Sequence, residues 1–307
     1  MKKYPIMAVA ALTFAACSNN ENELTGTDGQ PVPVEFTASV GVTETRAVDQ
    51  TWSPADAIGI FMVKAGQTFL PEQISEGAEN IRYVVDAGKT NGFKADGSTI
   101  YYPMDDSEVD FYAYNPQGSV TKEETTAHYL YAVNVATQTD QEALDLMYSD
   151  NVKGKKKTDK AAALTFKHQL CKIVLTVEPG EGVSDSDLDG LTVKVNGQKT
   201  TATFDLTSGV LKDDAAAADI TLYKQADAYV YEAILLPAAA SRTFEFDLNN
   251  GHDAPFIWDM NKELAGGSKY TYTVRLNRTG VEVTGQIEAW NPEGGNTVDA
   301  NRSEERR

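Results

Sequence analysis

Val32-Pro33-Val34-Glu35-Phe36-Thr37-Ala38-Ser39-Val40-Gly41-Val42 decides the fold class. Apolar side chains stand at every second position, Val32, Val34, Phe36, Ala38, Val40 and Val42, with small or polar residues between them. Successive side chains of a strand point to opposite faces, so this pattern predicts a β-strand with one buried face. Pro31 and Pro33 cannot donate to a ladder, which predicts an edge position for that strand.

The same period of two recurs along the chain. Ala57–Val63, Ile81–Val85, Thr99–Tyr102, Val109–Tyr114 and Tyr129–Val135 form a first series of expected strands. A second runs through Leu164–Val177, Leu191–Val195, Ala202–Leu206, Tyr229–Leu236, Phe244–Leu248, Phe256–Trp258, Tyr270–Leu276 and Val281–Ile287. Turn pairs such as Asn91-Gly92, Asp96-Gly97, Asn196-Gly197 and Asn250-Gly251 punctuate them. The one helical candidate is the short stretch from Asp140 to Met147. Short strands at this spacing predict an all-β chain, and its 307 residues suit two sandwiches, 47–160 and 161–290. The Lys-rich stretch Ser149–Lys160 is the expected boundary, and Asp213–Asp219, with its alanines, is expected to be a loop.

Met1-Lys2-Lys3 is followed by an apolar run from Ile6 and then by Ala15-Ala16-Cys17. That run is too short to span a bilayer and reads as a secretory signal over 1–16. A cysteine at the cut resembles the lipobox of bacterial lipoproteins, with Phe14 where that motif usually has Leu; the alternative is an ordinary secretory signal with an incidental Cys17. The resemblance implies acylation of Cys17 and a membrane surface reached by lipid, which needs more than one acyl chain for a durable hold. Residues 17–30 are polar and acidic apart from Leu24 and form a flexible tether.

Charge narrows the partners. The net charge is −18, and removing Lys2 and Lys3 with the signal makes it −20. No basic face is visible, so nucleic acid is excluded as a partner; the cluster Lys153–Lys157 with Lys160 lacks interleaved aromatics. Apart from Cys17 the only thiol is Cys171, in an apolar segment, so no disulfide is expected inside the mature chain. His128, His168 and His252 have no ligand spacing. Asp185–Gly190 matches half of a calcium loop, but position twelve is Asn196 and a strand pattern follows. Asp105-Asp106 and Asp213-Asp214 read as solvated turns. No catalytic motif nominates a nucleophile or base, so neither an enzyme nor a cofactor or metal is expected.

Several segments together resemble the fimbrillin-like family, lipoprotein pilus subunits of anaerobic Gram-negative bacteria (type V pili). They are Thr45-Arg46-Ala47 with Trp52 and Ala57–Met62; Ile100–Pro103 with Val109–Pro116; Asp145–Tyr148 with Leu164–His168; and Leu235-Leu236-Pro237 with Tyr270–Val274 and Trp290. The resemblance implies two tandem transthyretin-like β-sandwich domains with Greek-key-type connections and a place on the outer membrane and in the fimbrium. It further implies that an arginine-specific protease cuts between Arg46 and Ala47. The strand in 31–46 is thereby released, and another pilus subunit fills the groove by strand exchange, supporting adhesion to a ligand the sequence does not name.

The residues make that physically sensible. Losing the six alternating apolar side chains of 32–42 would forfeit about 8–15 kcal/mol of gross burial, comparable with the net stability of a domain. The competing expectation is a permanent first strand with Arg46 in an ordinary loop. Val281, Val283, Ile287 and Ala289 are candidates for a donor strand, interrupted by Gly285, whereas the tail 291–307 is polar and unpatterned. A hairpin over Tyr270–Ile287 that closes its own domain would leave no free donor and would suit a tip or accessory subunit. The alternative function is a monomeric outer-membrane lipoprotein that binds carbohydrate or nutrient, with Tyr101, Tyr102, Tyr112 and Tyr114 as a stacking platform.

Overall fold

A computed structural model describes residues 29–41, 52–213, 216–226, 229–238 and 242–290. Ten strands precede residue 180: β1 (Glu35–Val40), β2 (Ala57–Lys64), β3 (Ile81–Val85), β4 (Gly92–Ala95), β5 (Val109–Asn115), β6 (Val120–Lys122), β7 (Tyr129–Asn134), β8 (Met147–Lys155), β9 (Ala161–His168) and β10 (Cys171–Pro179). Ten follow: β11 (Thr192–Lys199), β12 (Thr201–Asp205), β13 (Val210–Asp213), β14 (Ala217–Thr221), β15 (Tyr223–Lys224), β16 (Val230–Leu235), β17 (Arg242–Asp247), β18 (Phe256–Met260), β19 (Ser268–Asn277) and β20 (Gly280–Ala289). The chain is all-β, with one short α-helix among the described residues, α1 (Gln141–Leu144), whose first turn is capped by the Asp140 carboxylate accepting from the Ala143 amide at 3.0 Å.

Seven strands close into a barrel in the order β1-β4-β3-β2-β5-β8-β9. Its core is built by period two: Val34, Phe36, Ala38 and Val40 from β1 and its approach meet Ile58, Ile60 and Met62 from β2 and Val109, Phe111 and Ala113 from β5. β2 is apolar on both faces, and its outer side chains Phe61 and Val63 join a second core. That core continues beneath the sheet β13-β12-β7-β6 and between the sheets β15-β16-β10-β19-β20 and β14-β11-β17-β18. The described residues from Pro31 to Trp290 accordingly fall within one compact unit.

Five local expectations change. β1 has a neighbour on each side and is not an edge strand; Pro31 and Pro33 precede its first residue, where no ladder donor is required. Thr99–Tyr102 forms a single bridge, Pro33 to Tyr101, in place of a strand. Ser149–Lys155, read as linker, belongs to β8, with Ser149 and Val152 turned inward at 1% and 3% exposure. The long run Leu164–Val177 breaks at Gln169-Leu170, so β9 completes the barrel while β10 enters the second half. Strand β14, Ala217–Thr221, takes in the end of the expected loop Asp213–Asp219.

Asp205 fastens the β12–β13 turn. Burial pushes its carboxyl pKa up, but hydrogen bonds from Ser208 Oγ (2.7 Å), His128 Nδ1 (2.7 Å) and the Thr207 amide (2.9 Å) outweigh this and leave it below its ordinary value. A depressed carboxylate stabilises the fold above its unfolded pKa, near about 4, and that contribution is lost as pH falls through the folded value. Asp205→Asn is therefore expected to destabilise the chain at pH 7, with the deficit shrinking below about pH 4. Urea titrations of both proteins at the two pH values check it.

Candidate functional site

The seat of β1 lies between β4 and β9. On the β9 side six residues, Glu35 to Val40, pair in parallel with Ala161 to Phe166. On the β4 side Phe36 and Thr37 pair antiparallel with Phe93 and Gly92, and the Ala38 amide donates to the Asn91 carbonyl at 2.9 Å. Asn91, in a left-handed conformation at φ 54°, turns the chain into β4. The approach is held as well: Val34 N donates to Ile100 O (2.9 Å), and Tyr102 N donates to Val32 O (3.0 Å).

The seat is apolar and aromatic. Phe36 is 2% exposed and meets Tyr83 and Phe111 edge-on, with ring centroids 4.9 and 5.2 Å away. Val34, Ala38 and Val40 are buried, and Val32 is partly buried against the same core. Burial also pushes the Tyr102 hydroxyl up to about 12.

Trp52 closes the end of the seat. Its indole N–H donates to Ala38 O at 2.9 Å, and its ring lies edge-on to Phe93 and Phe166 at 5.1 and 5.2 Å. The alternation of 32–42 pointed to β1, but neither β4 nor this indole carries a periodic signal; an isolated Trp just beyond Arg46 was the clue available. Val42, Arg46 and Ala47 lie outside the described residues, as do Cys17 and the tail 291–307.

The candidate donor strand is β20, paired antiparallel with β19 over its whole length, from Ser268 opposite Ala289 to Asn277 opposite Gly280. It is the outermost strand of its sheet. Val281, Val283 and Ile287 are partly buried against the second core, whereas Ala289 is exposed. Gly285 has a structural reason: a Cβ there would stand 2.0 Å from Tyr272 Cδ1, so the tyrosine ring occupies the place of the missing side chain. Between β20 and β18 runs a groove of about 570 Å³ with Trp258 and Tyr272 in its wall.

The remaining candidates scatter. Tyr102 and Tyr114 are core residues, Tyr112 stacks on Phe69 at 4.5 Å, and Tyr101 is exposed, so the four tyrosines share no platform. His128 pairs with Asp205, while His168 pairs with Asp145 at 2.7 Å. Asp185–Leu188 is a 3-10 turn capped by Ser184. No group of three or more His, Cys, Asp or Glu among the described residues is arranged to hold a metal ion, and no helix among them is long and apolar enough to cross a membrane.

Comparison with known proteins agrees in one direction. The model of the fimbrillin-like family matches residues 45–290. A Bacteroides uniformis protein assigned as a fimbrium subunit is 35% identical over 308 residues, covering 96% of this chain and 97% of its own length. A crystal structure of a Bacteroides uniformis protein classed as a cell adhesion protein superposes with a TM-score of 0.72 at 34% identity, covering 85% of this chain and 99% of that one. Another, from Bacteroides ovatus, gives a TM-score of 0.64 at 22% identity over 86% of this chain and 100% of its own, a likeness of fold.

Proposed function

This chain belongs to the fimbrillin-like family and is a subunit of a cell-surface fimbrium, and we propose that it enters the fibre by strand exchange at the β4–β9 seat. It is exported as a lipoprotein and held at the outer membrane through Cys17. An arginine-specific protease cuts after Arg46, β1 leaves with residues 17–46, and a strand from a neighbouring subunit takes its place. The assembled fibre supports adhesion.

The observation that carries this reading is the position of β1. It supplies one of seven staves of the barrel, yet it is joined to the rest only through the segment that contains Arg46. After the cut, non-covalent contacts alone retain it. A replacement strand regains both the ladder and the burial, the strand-addition mode of recognition. Trp52 stays on the body side of the cut, where its indole can donate to a carbonyl of the incoming strand as it now does to Ala38.

While β20 remains paired with β19, the chain can receive a strand but has none to give, the behaviour of a tip or accessory subunit. Treating the purified chain with an arginine-specific protease tests the exchange. The expected products begin at Ala47 and, mixed with a donor-bearing fimbrial subunit, run as heat-resistant multimers in detergent gels, and Arg46→Ala abolishes both. A cut product that stays monomeric and keeps the 31–46 piece bound would overturn the reading.

A further inference from the structure

β9 has a second connection besides β1. Two residues beyond the pairing of Val40 with Phe166 stands His168, 3% exposed. Its Nδ1 donates to Asp145 Oδ1 at 2.7 Å, and its ring stacks on the indole of Trp290, with centroids 3.9 Å apart and planes 9° from parallel. Trp290 directly follows β20 and is 5% exposed. Its amide donates to Gly267 O at 2.6 Å, and the Gly267 amide donates to Leu170 O at 2.8 Å. The end of β20 is thus fastened to the corner where the barrel passes into the second half.

Trp290 is the deepest anchor this strand has. Every residue of β20 itself is exposed or only partly buried. The indole N–H is buried with no hydrogen-bond partner among the described residues. Opening would let water satisfy that group, which favours release relative to a fully paired anchor.

β9 in turn leans on β1. Its backbone ladder to β8 is limited to Met147 with His168 and Tyr148 with Lys167; further along, the Asn151 side chain bridges to Ala163 O and Thr165 N. Without β1, residues 161–166 lose the partner that matches them residue for residue.

We propose that the Trp290–His168 stack is a latch that holds β20 in its own body while β1 is seated and loosens when β1 departs. The latch rests on the reading that β1 is removable, and it makes the giving of a strand conditional on the receiving of one.

Hydrogen exchange on the full chain, resolved by mass spectrometry, tests the latch. Val34→Ala with Val40→Ala loosens β1 without touching the stack, and faster exchange of the β1 amides reports that it has done so. In the parent this pair is expected to speed exchange across 282–290 about tenfold; in a Trp290→Ala background, where the strand end is already open, it adds little. If Trp290→Ala does not fold, Trp290→Leu keeps an apolar side chain and removes the stack. Faster β1 exchange with unchanged β20, or the same acceleration in both backgrounds, would overturn the proposal. Neither protease nor multimers enter this measurement, so a null result leaves the strand-exchange reading standing, and an uncut Arg46 leaves the measurement valid.

Discussion

A chain that starts at Ala47 unfolds without a cooperative barrel transition and exposes apolar surface to a dye such as ANS; a synthetic peptide of residues 31–46 restores the transition. Val34, Phe36 and Val40 each expose less than a tenth of their surface. At about 1.5–3 kcal/mol for each large apolar side chain, their removal forfeits roughly 5–9 kcal/mol. The Phe36 ring leaves a gap between Tyr83 and Phe111 as well. Net stabilities of domains lie at about 5–15 kcal/mol, so the empty seat takes most of the margin. Thermal unfolding of the shortened and full chains with equal midpoints would refute the idea that β1 holds the barrel shut.

The second large effect lies in the other core. Phe244, in β17, is fully buried and stacks on Trp258 at 5.0 Å. Phe244→Ala is expected to cost about 3–5 kcal/mol, because neighbouring strands cannot close around the lost ring. Ile257 sits one residue from Trp258 but on the opposite face, 49% exposed. Ile257→Ala should stay within about 0.5 kcal/mol of the parent. Urea midpoints at unchanged slope separate the two, and similar losses at both positions would show that the face assignment of β18 is wrong.

That contrast also shows what the sequence discloses. Where one face is buried and the other wet, as in β1 or β17, alternation is written in the residues. β2 is equally legible as an unbroken apolar run with a core on each side. Closure of the barrel is not, because it depends on pairings distant in sequence: β9 completes a sheet begun some 120 residues earlier. β8 is hidden for a local reason. Its register against β5 shifts twice, between Val109 and Phe111 and again between Phe111 and Ala113, which breaks the period of two. Its lysines are also compatible with a strand, since Lys153 points outward and lays its ammonium over the Tyr112 ring at 3.5 Å. The seat was legible in the valines of β1. The contacts that Trp52 and Gly92-Phe93 make with β1 are not, since single residues have no period to betray them.

Because β1 runs with β9 and against β4, the two walls of its slot have opposite polarity. A visitor entering from either end would therefore be parallel to one wall and antiparallel to the other. Covalent linkage chose the present orientation, which spends the longer wall on the slightly weaker parallel geometry. A foreign ribbon, untethered, is free to enter reversed and set its antiparallel side along all six residues of β9. Under the proposed exchange, the gain along that longer wall would favour the swap in one direction.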